Sequence, residues 1–170
     1  MNTLSRRRFL ATAATAAAGG RLVVRAAVTS PMWSGPQSHA APLILSTWPF
    51  GKPANDKALS VLAAGGSGLD AIEQGINVTE ADPNNPYVGL AGIPNSAGVV
   101  QLDACIMSGP GHRGGSVAGV AGYRHPISIA RAVMERTKHV MLVGKGAEDF
   151  AGKHGFERGP KVSDKQRADW

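Results

Sequence analysis

Between Leu43 and Val143 the chain carries four short apolar runs, and the segments joining them have helical spacing or are rich in Gly and Pro. Short apolar runs bounded by breakers form buried strands, and grouped strands with helices between them pack in layers. Leu43 to Trp48 reads as the first strand, broken by Pro49, Gly51 and Pro53. Asn55 or Asp56 then caps a helix with Ala58, Leu59, Val61 and Leu62 on one face, ended by Gly65-Gly66. A second helix covers 69–80, with Leu69, Ile72 and Ile76 on one side and Asp82-Pro83 as its stop. Residues 83–98 form a loop rich in Pro, Asn and Gly. Two strands follow, Val99–Met107 and Ser116–Tyr123, antiparallel across 108–115, and the small residues of the second suit close packing under a helix. Pro126 opens a helix that buries Ile127, Ala130, Val133 and Met134 and exposes the i,i+4 pair Arg131 and Glu135. Val140–Val143 is a last strand and 146–154 a short helix. From Gly159 onward periodicity is lost, as in a linker or frayed end. The order predicts an α/β fold built as a layered sandwich.

Charge divides this sequence near residue 40. Arg6, Arg7, Arg8, Arg21 and Arg25 stand in a stretch without Asp or Glu and carry +5 of the formal net charge of +6. The remaining 130 residues hold 13 basic and 12 acidic groups, so no basic stripe is left for a nucleic acid. Ser5-Arg-Arg-Arg-Phe-Leu10 resembles the twin-arginine export signal. The Ala-rich stretch after it, Phe9 to Ala18, is too short and too mild to span a bilayer, so the leader predicts export without stable membrane anchoring. Ser38-His39-Ala40 has the small-x-small form that a signal peptidase accepts, and Ala26-Ala27 is a second candidate. The expected organisation is a leader at 1–40, a folded region at 41–158 and the start of a linker at 159–170. The expected location is periplasmic or secreted.

Cys105 is the single cysteine, so no intrachain disulfide forms, and its place between Ala104 and Ile106 predicts a core thiol. The five histidines have no ligand spacing, and neither a metal nor an organic cofactor is expected. Gly109-Pro-Gly111-His-Arg-Gly114 matches the dinucleotide spacing, and Glu135 lies near the distance of a ribose ligand. That chemistry needs a helix after the glycines to meet the pyrophosphate, whereas Gly115 onward reads as strand. A hairpin loop is the expectation, and a nucleotide-binding module would require helix from Gly115. Taken alone, Trp48 reads as a core or interface tryptophan, or as the wall of a pocket.

Four stretches, in order and at matching spacing, resemble the first half of a glycosylasparaginase: Leu43–Phe50, Leu102–Met107, Pro126–Thr137 and His139–Ala147. The resemblance covers roughly 42–157 and is shared with the isoaspartyl peptidase/asparaginase family. It implies an N-terminal-nucleophile (Ntn) hydrolase, a four-layer α-β-β-α sandwich whose other strands come from the second half. The implied reaction is hydrolysis of an asparagine side-chain amide. Glycosylated asparagine is the first expected substrate, with plain asparagine or a β-aspartyl peptide next. Trp48 matches the tryptophan that lines the family's substrate pocket, and Phe50 is carried over as a second wall residue. The family's nucleophile is a threonine freed by self-cleavage at the start of the second half, after an acidic residue. Thr47, Thr79 and Thr137 follow Ser46, Val78 and Arg136, so none fits, and no catalytic residue is assigned. The implied partners are that second (β) half and a homodimer of αβ units. The chain alone is expected to be inactive. The competing reading is an exported, non-catalytic fragment.

Overall fold

The computed structural model describes residues 41–159 and 162–170; the expected leader lies outside the described residues. Two helices, α1 (Lys52–Ala63) and α2 (Gly68–Glu80), are followed by a hairpin of β1 (Gln101–Ser108) and β2 (Arg113–Ala121). Helix α3 (Pro126–Arg136), strand β3 (Met141–Val143), helix α4 (Gly144–Lys153) and a short α5 (Asp164–Asp169) complete the order. The sheet order is β1-β2-β3, with β1 antiparallel and β3 parallel to β2. Single 3-10 turns stand at Pro49–Gly51 and Gly89–Ala91. Among the described residues no helix is long and apolar enough to cross a membrane.

The α/β class is as expected. The main core lies between the sheet and α3, where Val117, Val120, Ile127, Ile129 and Val133 are sealed from solvent. Gly115 is what lets α3 come so close. A Cβ there would run into the Ala130 carbonyl and stand 2.6 Å from the Met134 Cβ. The small residues expected in this strand therefore serve the close packing.

Four expectations about elements change. First, 41–46 forms no strand, because no described neighbour pairs with its backbone. Its side chains still alternate: Ile44 packs on the small cluster of Ala58, Val61 and Ala71, while Leu43 and Leu45 stay more than 80% exposed. Second, α1 starts at Lys52 with Pro53 in its first turn, where proline lacks nothing a helix needs. Asn55 and Asp56 do not cap it; they hold Ser46 and Lys52 instead. Third, α2 buries Ala71 and Gly75, leaving Ile72 exposed. Fourth, residues 164–169 are helical, started by a capping box between Ser163 and Gln166. Gln166 also donates to the carbonyls of Leu90 and Gly92, which ties this end to the 81–92 loop.

Arg131 is not merely half of an exposed pair. Besides Glu135 at 2.9 Å it meets Asp70 and Glu73 from α2, each at 2.7 Å. Burial weakens its charged form, but the three carboxylate hydrogen bonds outweigh that and hold it firmly charged. The Ser67 hydroxyl, and then Arg131, lower the Asp70 pKa from 3.8 to about 2. The outward sheet face is different in kind. Met107, Met141 and Val143 are each more than half exposed there.

Candidate active site

Where the 45–51 segment, the end of α2, the 87–89 turn, β1 and the start of α3 converge, they leave a cleft of about 570 Å³. Trp48 and Phe50 both line it. A third aromatic, Tyr87, joins them from the loop after α2. The ring centroids are 6.3 Å apart for Trp48–Phe50, 6.5 Å for Trp48–Tyr87 and 5.8 Å for Phe50–Tyr87. The ring planes agree within 17°. Near-equal separations exclude a column of rings, which would set its outer pair twice as far apart as its neighbours. The three rings form an offset patch, and Trp48 and Tyr87 keep 64% and 73% of their surface exposed.

The cleft floor carries carboxylates. Glu80 ends α2 and is 3% exposed. Its Oε1 accepts the Ile127 N–H at 3.0 Å and its Oε2 lies 3.1 Å from Nδ1 of His125. Ile127 is in the first turn of α3, so Glu80 caps that helix across 47 residues and meets the positive end of its dipole. A buried carboxylate without such partners would be costly. His125 stands at the N-cap of α3, and the Glu80 carboxylate meets its ring. Asp103 stands where the β1–β2 register shifts, and its Oδ1 accepts the Gly119 N–H at 2.7 Å. Bulges of this kind recur beside functional sites.

Cys105 does not lie in the core. It is exposed and lines the cleft, because β1 turns residues 101, 103, 105 and 107 outward and Ile106 inward. The Gly109–Gly114 run turns between β1 and β2 and leads into strand, so the dinucleotide arrangement is absent. The lining contains no Lys, Arg or His. A substrate carboxylate or phosphate would therefore find no counter-charge among the described residues that line the cleft.

Thr47 and Thr79 line the cleft, but the imidazole–carboxylate contact beside it, His125–Glu80, involves neither hydroxyl. The Thr137 hydroxyl donates to the Val133 carbonyl at the end of α3. The arrangement supplies a wall, acceptors and a buried carboxylate, and among the described residues no activated nucleophile. Sequence reasoning missed Glu80, Asp103 and Tyr87. Glu80 carried a signal, since it lies four residues after Ile76 on the apolar side of α2. Tyr87 carried none, in a loop without periodicity.

The family model described as asparaginase matches residues 47–170. The chain is 46% identical over 137 residues to the N(4)-(beta-N-acetylglucosaminyl)-L-asparaginase of Elizabethkingia miricola, covering 81% of this chain and 40% of that relative. It is 43% identical over 107 residues to the plant-type L-asparaginase of Pyrococcus abyssi, covering 62% of this chain and 34% of the relative. It is also 43% identical over 98 residues to the isoaspartyl peptidase of Salmonella typhimurium, covering 58% and 31%. The chain thus spans two-fifths or less of the length of these relatives, in their N-terminal part.

Proposed function

Because the chain belongs to the asparaginase family of Ntn-hydrolases, we propose that it is the N-terminal, substrate-walling portion of an enzyme that hydrolyses the side-chain amide of N4-glycosylated asparagine. The observation that carries this reading is the placing of Trp48 and Phe50 on the cleft. On this reading the portion completes an α-β-β-α sandwich with a second half, and the outward sheet face with Met107, Met141 and Val143 supports that. The second half brings the threonine nucleophile, freed by self-cleavage, and the groups that grip the α-carboxylate and α-amine. The absence of any cation from the cleft lining agrees with such a division of labour.

The chemistry then runs as an acyl transfer. The threonine hydroxyl attacks the β-carbonyl, with its own α-amine as base, and the glycosylamine leaves. Water releases aspartate from the acyl-enzyme. This chain's part is to hold the leaving group against the wall and to fix the cleft floor through Glu80. Plain asparagine or a β-aspartyl peptide is the second reading, supported by the asparaginase and isoaspartyl peptidase relatives. The competing role is an exported fragment without activity of its own. The test combines the chain with the second half of a glycosylasparaginase and compares aspartate release from the three substrates. Fastest release from glycosylasparagine is expected, and a preference for plain asparagine would overturn the choice.

Location is part of the proposal. Arg6 and Arg7 direct export through the twin-arginine route, and Arg6→Lys with Arg7→Lys should hold the protein in the cytoplasm. Unchanged periplasmic recovery would contradict export.

A further inference from the structure

We propose that Tyr87 is a specificity residue of the cleft, the third ring of a platform that takes the apolar face of a pyranose. This deepens the reading above and rests on it for the attachment of that sugar to an asparagine side chain. Three features carry it, beginning with the offset patch. Rings at 5.8–6.5 Å with nearly parallel planes present a broad apolar surface larger than one side chain could offer. Tyr87 supplies the ring whose surface is 73% free. A pyranose places several C–H groups on one face and its hydroxyls at the rim, which suits such a surface.

Tyr87 is also held ready. Its N–H donates to Asn85 Oδ1 at 3.0 Å, and the Pro86 carbonyl accepts the Ile93 N–H at 3.3 Å. Gly89, at φ +70°, closes the loop against Glu80: a Cβ there would collide with the Glu80 carbonyl, so only glycine allows the return. Glu80 is itself fixed by Ile127 and His125. The backbone that carries the ring is thus pinned to the cleft floor, so binding need not order the loop.

The polar lining selects a neutral, hydroxyl-rich ligand. Asp103, Gln101, Ser46 and Thr47 offer acceptors and hydroxyls, and no cation accompanies them. A phosphorylated sugar or a nucleotide would meet carboxylates instead.

The experiment uses the 170-residue chain combined with the second half of a glycosylasparaginase, as in the test above, with methyl N-acetyl-β-glucosaminide and L-aspartate as probes. Saturation-transfer NMR reads the contacted ligand protons, titration reads affinity, and circular dichroism checks each variant. Wild type should saturate the pyranose C–H protons. Tyr87→Ala should weaken the glycoside roughly tenfold, and Tyr87→Phe should stay within about twofold, as for a ring contact of ordinary strength. Aspartate should respond to neither change. The proposal is overturned if wild type does not bind the glycoside or Tyr87→Ala binds it as well as wild type. Equal weakening of both probes, with Phe as poor as Ala, would also overturn it by showing a purely structural tyrosine. Glycoside binding that depends on Tyr87, beside a combined enzyme that releases no aspartate, would refute the proposed reaction and leave this assignment standing.

Discussion

Trp48 sits just before the 3-10 turn at Pro49–Gly51, with most of its surface free and two rings beside it. On the proposed reading it provides contact area that serves ground state and transition state alike. Trp48→Ala in the combined enzyme should therefore raise KM for glycosylasparagine roughly threefold to tenfold with kcat little changed, the loss of about 1 kcal/mol of uniform binding. A fall in kcat at constant KM would mean that the ring acts on the reacting carbonyl instead. At this scale the sequence was legible only in part. The family resemblance of the Ser46-Thr47-Trp48 run implied a pocket wall, and Trp48 lines the cleft, whereas Cys105 misled. Its apolar neighbours suggested burial, but the two-residue period of β1 puts Ala104 and Ile106 on the inner side and the thiol outside. Glu80 carried only its spacing from Ile76. A carboxylate at the end of an amphipathic helix is commonplace, and only the fold brings Ile127 and His125 to it.

Elements with local causes were the readable ones. Helix α3 follows from Pro126 and a buried stripe, and the β1–β2 hairpin from two apolar runs around a Gly-Pro-Gly turn. The first apolar run behaves differently. Residues 43–46 have the alternation of a strand and no partner among the described residues, because pairing is a property of two segments and a sequence shows one. The capping box at Ser163–Gln166 was there to be read, but 159–170 lacks the apolar periodicity that signals a helix. These unpaired features bear on stability. With Leu43 and Leu45 exposed on one side and Met107, Met141 and Val143 on the sheet, residues 41–170 expose apolar surface and an unpaired backbone. Thermal unfolding of a chain limited to those residues should be broad and accompanied by association. A sharp two-state melt of a monomer, with calorimetric and van't Hoff enthalpies equal, would contradict that account.

For the molecule as a whole, family membership and the geometry of the cleft lead to one division of roles. This chain covers 40% of its Elizabethkingia miricola relative, and the cleft it builds has aromatic walls and carboxylates but no nucleophile paired with a base. Composition had already separated the basic residues 1–40 from a nearly neutral remainder, which carries no basic stripe for a nucleic acid. On the proposed reading the site is shared between two portions, and composition and periodicity could not convey that, since residues supplied by another portion leave no pattern in this one. The most direct measurement is aspartate release from glycosylasparagine, run side by side for the purified 170-residue chain alone and for the same chain combined with a second half that begins at its threonine. The account predicts no detectable release and no self-cleavage by the chain alone, and turnover once the two are combined, because losing a whole nucleophilic unit removes several orders of magnitude of rate. Turnover by the chain alone would contradict it and would make Thr47, the hydroxyl beside Trp48 on the cleft, the first nucleophile to examine.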